Sequence, residues 1–400
     1  MVQLNNTFKQ LAARDDTSTR SKAAPASRTK QTSTSLTSGA TTTLSEPTTQ
    51  LLELTSRLTA HLRRSNQFTP TLQHVKTLLY NKEYLAAFGT ESDEGETWRQ
   101  VYFARWTPAR AVLYERAFRE LGVGRILGWE VDEEAREEQE LLEQRRKRGT
   151  NREATAEPNS PAGQARDKEV IMIGSGAGAE LLALGCVLGS AKSEEASERP
   201  KVRVKAIDQG NWGELVGKMD DGMKSEWPAL SNDGMKLDFV QGDLLSAYSV
   251  ANSSTEAPTP ASSLPALDLD LSSPNLALVT ICFTITELLL QSRVSTLRFL
   301  STLTSSAPKG LHLLIIESAS LALIPIGTSG RTYPLGQLLD HALCGGGGGQ
   351  WEIVKSEEAK WFRMPEGAEQ VYNRDIEESG KGIKVKLENS RVVLRLYRKL

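Results

Sequence analysis

Residues 170–180 read VIMIGSGAGAE, an apolar run that meets three glycines and then opens the helix-like segment AELLALGCVLG. Glycines allow a tight turn and let a ligand approach the backbone closely. The N–H groups at the start of the following helix can then face polar or anionic ligand atoms. Gly174, Gly176 and Ala179 satisfy the GxGxxG/A spacing of dinucleotide binders, with Ser175 inside the turn. Gly174, Gly176 and Gly178 equally satisfy a GxGxG turn that suits S-adenosylmethionine. A tight turn without a ligand satisfies the same residues.

Two carboxylates follow at the ends of the next strand-like runs. Asp208, with Gln209 after it, closes VRVKAID and can accept hydrogen bonds from both hydroxyls of a ribose. The polar stretch SAKSEEASERPK, residues 190–201, accounts for a gap from Gly174 longer than the usual ~20 residues. Asp243, in the QGDL run, can accept from an adenine amino group, and Leu244 can cover the ring. Both aspartates also suit plain loop or turn positions. Phe283 and Glu287, in FTITEL after a fourth apolar run, lie where the transferred group would sit. Glu287 can orient an acceptor or take its proton; it can equally stabilise the first turn of a helix.

The elements needed to hold these residues alternate. VIMI, VRVKAID, KLDFVQ, LALVTIC and LHLLIIES are strand-like, with helix-like segments between them. That order predicts a parallel α/β sheet with right-handed crossovers. WEIVKSEEAKWFRM and RVVLRLYRKL predict a closing antiparallel pair with no helix between them. Upstream, leucines 51, 54, 58 and 62 share one helical face, and LQHVKTLLYNKEYLAAF predicts a second helix. TPARAVLYERAFREL predicts a third, with Thr107 as cap and Pro108 in the first turn. The expected division is a disordered basic Ser/Thr-rich tail (1–50), a small helical region (51–128), a charged linker (129–168) and the α/β domain (169–400). That domain carries a disordered insert (247–274) and a glycine-run loop at 345–349.

Composition narrows the classes. With 39% hydrophobic residues there is material for a core, and no apolar run reaches the roughly 18 residues of a membrane helix. The first residues have no secretory apolar segment, and the three cysteines, Cys186, Cys282 and Cys344, are far apart. A reducing intracellular site without a disulfide or cysteine–metal scaffold is therefore expected. The four histidines form no HExxH pair, and no GxSxG run is present. The net charge of −2 hides local basic runs, in the tail and at RRKR, residues 145–148. The tail could contact RNA or an import receptor, RRKR could serve as a nuclear-import or phosphate patch, and either run could simply be solvated.

The ordered set IGSGAGAE, AIDQGNW, FVQGDLL, TICFTITEL and LLIIES, with the closing WFRMP and LENSRVVLRLYRKL, resembles the fungal large-subunit ribosomal RNA uridine-N3 methyltransferases. YFARWTPARA, residues 102–111, resembles that family's Arg-Trp segment. The resemblance implies a Rossmann-like class I methyltransferase with a seven-stranded mixed sheet and S-adenosylmethionine as cofactor. It implies that Gly174, Gly176 and Gly178 pack on the methionine part, that Asp208 holds the ribose and that Asp243 holds the adenine. Arg105 and Arg110 become candidates for RNA contact, or for structural bonds to the catalytic domain. The implied partner is ribosomal RNA or a pre-ribosomal particle, without metal or membrane, in the nucleus, nucleolus or cytoplasm. A methyltransferase acting on a small molecule or protein, and a NAD-dependent oxidoreductase, remain alternatives on the same fold.

Overall fold

The computed structural model describes residues 44–89, 91–130, 167–191, 199–231, 233–249, 264, 267, 269–326, 331–345 and 350–400. Most of the expected tail, the linker, much of the 247–274 insert and residues 346–349 of the glycine run lie outside these. The first described elements are helices α1 (Glu46–Arg63), α2 (Phe68–Tyr80), α3 (Tyr84–Phe88), α4 (Asp93–Glu120) and α5 (Val123–Ile126). Strands and helices then alternate: β1 (Lys168–Ile173), α6 (Ala179–Gly189), β2 (Val202–Asp208), α7 (Gly213–Glu226), β3 (Met235–Gln241), β4 (Leu276–Cys282), α8 (Ile285–Gln291), α9 (Arg293–Ser306) and β5 (His312–Ser318). A hairpin, β6 (Leu323–Ile326) and β7 (Arg331–Pro334), leads to α10 (Leu335–Cys344), β8 (Trp351–Phe362), α11 (Ala368–Ser379) and β9 (Ser390–Lys399).

The main sheet has seven strands in the order β3-β2-β1-β4-β5-β9-β8. Neighbours from β3 to β5 are parallel, while β9 runs antiparallel to both β5 and β8. This is the mixed sheet that the resemblance implied. Register aligns the ends that matter. Ile173 pairs with Ile207 on one side and Ile281 on the other, and Asp208 pairs with Gln241. Gly174, Asp208 and Cys282 therefore emerge at one level, the carboxyl edge of the sheet.

Three helix boundaries differ from the sequence expectation. Ser45 Oγ accepts from Thr48 N at 3.3 Å, so α1 begins at Glu46 rather than at residue 51. Lys82, in a left-handed turn at φ 61°, divides the second expected helix into α2 and α3. The third expected helix does not start at Pro108. Ser92 caps α4 by accepting from Gly95 N at 3.1 Å, and the helix runs through the proline. Proline removes the N–H that would bond the carbonyl of Ala104. Tyr372 Oη donates to that carbonyl at 2.7 Å instead, which supplies the missing partner from α11.

That helix, α11, is itself a departure: it sits between β8 and β9, where none was expected. Its buried stripe is only Ala368, Tyr372, Asn373 and Ile376. Three apolar residues in an otherwise charged segment give a faint periodic signal. Nor do the upstream helices form a separate layer of their own. All residues from Ala179 to Leu188 in α6 are buried, because the sheet covers one side and α4 packs on the other. A helix apolar all round needs such double cover. Each fully buried leucine there contributes roughly 1.5–3 kcal/mol. One apolar core lies on this face of the sheet, and a second lies under α8, α9 and α10 on the opposite face.

Candidate functional site

A cavity of about 280 Å³ opens at the carboxyl edge of β1, β2, β3 and β4. Its floor is the glycine turn after β1. Gly174 has φ +66°, and a Cβ there would meet the Thr284 side chain at 2.3 Å. Thr284 Oγ1 in turn donates to Gly174 O at 3.2 Å, which joins the ends of β1 and β4. Gly178, at φ +71°, caps α6, and a Cβ there would meet Met219 of α7 at 2.3 Å. Gly174, Ser175 and Gly176 line the cavity; Gly178 instead permits the packing of α6 on α7.

Asp208 lines the cavity and also holds the turn. One carboxylate oxygen accepts from Gly176 N at 2.8 Å; the other accepts from Gly210 N at 2.7 Å and from Trp212 Nε1 at 3.1 Å. Burial raises its pKa, and these three donors work in the opposite direction. Gln209 and Leu244 line the cavity beside it. Asp243 does not line the wall. Its Oδ1 accepts from Gln209 Nε2 at 3.0 Å and from Leu245 N at 2.9 Å, so it fixes the residues that do.

The opposite side carries the acids. Phe283 lines the cavity from a left-handed backbone at φ 55°, with its N–H donating to Ile316 O at 2.7 Å. A non-glycine residue in that region costs of order 1–3 kcal/mol. Glu287, in the first turn of α8, also lines the wall. Burial lifts its pKa to about 7, the nearby Glu317 adds to that, and the Tyr84 hydroxyl and Arg110 oppose it. Glu317, fully buried at the end of β5, accepts from Thr286 N at 3.2 Å, Thr286 Oγ1 at 2.8 Å and Ser318 N at 2.8 Å. It thereby anchors the start of α8 and sets where Glu287 points.

The roof comes from α3 and α4. Tyr84, Leu85, Phe88, Tyr102, Trp106, Arg110 and Tyr114 all face the cavity. Arg110 donates to Tyr102 Oη at 2.7 Å, and its guanidinium lies 5.1 Å from the Phe283 ring centre. Burial works against its charge, but Tyr102, Tyr114 and Glu287 keep it protonated. Arg105, five residues earlier, is absent from the cavity. It donates to Glu388 Oε1 at 2.5 Å and to Lys386 O at 3.3 Å.

Glu180 was not singled out in the sequence. It is 2% exposed, lines the cavity, and its Oε1 has no hydrogen-bond partner. Burial raises its pKa to about 7, with Thr280 and Cys282 the main opposing neighbours. Ser175 Oγ is likewise buried without a partner. Such orphaned polar atoms in a cavity wall call for a ligand with polar groups. Glu180 ends the glycine motif, and that position was its only signal. The residues of α3 and α4 carried none, because nothing in their spacing says which strand ends they cover.

A cavity at the carboxyl edge of this sheet, floored by a glycine turn and flanked by a carboxylate on the second strand, defines the class I methyltransferase architecture. The SAM-dependent methyltransferase family model matches residues 55–398, and the chain belongs to that family. Its cofactor is S-adenosylmethionine. The chain is 26% identical over 350 residues to the 25S rRNA (uridine(2843)-N(3))-methyltransferase of Saccharomyces cerevisiae, covering 82% of this chain and 77% of that protein. Among solved structures it is similar to an arsenic(III) S-adenosylmethionine methyltransferase of Chlamydomonas reinhardtii (13% identity, TM-score 0.31, 61% of this chain and 67% of that one). It is also similar to the N-methyltransferase NodS of Bradyrhizobium japonicum (11% identity, TM-score 0.28, 58% and 78%). Among the described residues no helix is long and apolar enough to cross a membrane, and no group of three His, Cys, Asp or Glu could hold a metal ion.

Proposed function

We propose that this protein methylates N3 of a uridine in large-subunit ribosomal RNA, within a pre-ribosomal particle of the nucleus, nucleolus or cytoplasm. The observation that carries this reading is the similarity to the yeast uridine-N3 methyltransferase across 82% of the chain. The chemistry of the cavity supports it. The floor fits the cofactor: Asp208 would hold the ribose, Gln209 and Leu244 the adenine side, and the unpartnered Oε1 of Glu180 the ammonium of the amino-acid end. When bound, S-adenosylmethionine supplies an activated methyl group.

A neutral imide nitrogen is a poor nucleophile, so the N3 proton has to leave as the new C–N bond forms. Glu287, with a pKa lifted to about 7, is matched to accept it near neutral pH. Arg110, held protonated against Phe283, offers N–H donors to the uracil oxygens, where negative charge builds. The aromatic roof excludes water from around the reacting nitrogen. A uridine paired through N3 cannot react, so the target base is unpaired or flipped into the cavity.

The test is mass spectrometry of nucleosides from purified large-subunit ribosomal RNA after deletion of the gene. Loss of 3-methyluridine, restored by the wild type and not by Glu287→Gln, is the expected result. An unchanged nucleoside profile overturns the uridine assignment and leaves a methyltransferase for a small molecule or protein.

A further inference from the structure

Of the seven tryptophans, six are buried or half-buried, and Trp361 alone is exposed, at 57%. It sits near the end of β8, the outermost strand of the sheet. Burying this indole would remove more apolar surface from water than the other exposed aromatic residues, Tyr80 and Tyr333, offer, and nothing among the described residues covers it. Register places Trp361 directly across from Arg391 of β9, so the two side chains share one face of the sheet. Further along that face Arg395 and Tyr397 are tied to Asp340 of α10. Trp361 and Arg391, nearer the carboxyl edge, are left exposed.

This patch adjoins the cavity. Arg391 O accepts from Ala319 N at 2.9 Å, and Ala319 lies between Glu317 and Leu321, which both line the cavity. Strands lie about 4.8 Å apart, so Trp361 stands two strands, or about 10 Å, from the end of β5. That is the reach of one or two nucleotides of extended single strand. The charges are complementary to phosphate. Among the described residues Arg391 and Arg363 are exposed and in no ion pair, Arg391 Nε donating to Ala359 O at 3.4 Å, whereas Glu357 is paired with Lys355, Glu358 with Arg395 and Glu388 with Arg105. Arg363 is held in place through its carbonyl, which accepts from Arg116.

We infer that Trp361, with Arg391 and Arg363, forms a stacking platform for a nucleotide flanking the target base in a single-stranded RNA substrate. An aromatic face with adjacent cations binds unpaired bases regardless of sequence and contacts their phosphates. The inference rests on the RNA reading of the cavity. It also goes beyond that reading, because the platform lies outside the cavity wall.

Binding of a uridine-containing single-stranded RNA oligonucleotide to the full chain, followed by tryptophan fluorescence, tests it. Trp361→Ala should weaken RNA binding about tenfold and reduce the quenching on RNA addition, leaving the part that comes from Trp106 and Trp212 in the cavity wall. Trp361→Phe should keep most of the affinity. Arg391→Ala should reduce the slope of log affinity against log salt by about 1. In turnover, Trp361→Ala should raise KM for RNA and leave kcat, S-adenosylhomocysteine binding and Tm unchanged. Wild-type affinity and wild-type KM in Trp361→Ala overturn the platform alone. So does a wild-type dimer in sedimentation that Trp361→Ala converts to monomer, since a second copy then covers the indole. A wild type that binds S-adenosylhomocysteine but no RNA overturns both the platform and the uridine reading.

Discussion

The floor of the cavity is made from the ends of successive strands of one sheet, whereas its roof is made from α3 and α4, upstream of the first strand. The floor works through backbone. Gly174 and Gly176 turn the chain, and Asp208 holds that turn by accepting from Gly176 N and Gly210 N. The roof works through side chains: Tyr84 and Arg110 act on the charge state of Glu287. A change in the floor should therefore cost cofactor binding and stability together. A change at the roof, or in the acid it faces, should cost rate and spare cofactor binding.

Glu287→Gln should show the largest effect, a fall in kcat of about 10²–10⁴-fold with S-adenosylhomocysteine affinity retained. Because the ionised carboxylate is the active form, wild-type kcat/KM should rise as pH increases through about 7 and fall below it. The Gln variant should lose that limb. A pH profile that keeps the same limb in Glu287→Gln would move the proton acceptor elsewhere.

Asp208→Ala should come next. It leaves Gly176 N, Gly210 N and Trp212 Nε1 without their acceptor, and each orphaned buried donor costs about 1–3 kcal/mol. Calorimetry should show lost S-adenosylhomocysteine binding together with a lower Tm. Retention of full stability would separate binding from scaffold in the floor.

Tyr372→Phe tests the roof's support rather than its chemistry. It leaves the Ala104 carbonyl unpaired at the proline in α4, for a loss of about 1–3 kcal/mol in denaturant unfolding. Cofactor affinity should change little. Arg105→Ala should be the mildest, about 1 kcal/mol, because its partner Glu388 keeps access to solvent at 42% side-chain exposure and the pair lies away from the cavity. A large loss of RNA turnover in Arg105→Ala, with stability intact, would return this residue to the substrate surface.

The alternation of strands and helices, the glycine turn, Asp208, Gln209, Leu244, Phe283 and Glu287 were all legible from residue type and order. These groups follow strand ends, and parallel strands linked by right-handed crossovers bring every strand end to one edge. Local pattern was enough for that. The start of α4 was also locally encoded, in the Ser92 cap followed by Asp93 and Glu94, and was passed over. Its passage through Pro108 was not, because that depends on Tyr372, far along the chain. Nor could α11 be read, because its buried stripe becomes apparent only once α1 lies against it and Tyr372 reaches Ala104 of α4.

Tertiary structure alone decided the remainder. It set Asp243 behind Gln209 rather than in the wall, and it turned Arg105 away while bringing Arg110 in. It also placed Glu180 and Glu317 where burial, not spacing, gives each carboxyl its character. The physical reason is that backbone turns are encoded by residues a few positions apart. A side chain's charge, partners and access to water depend instead on segments that meet only when the whole chain has packed.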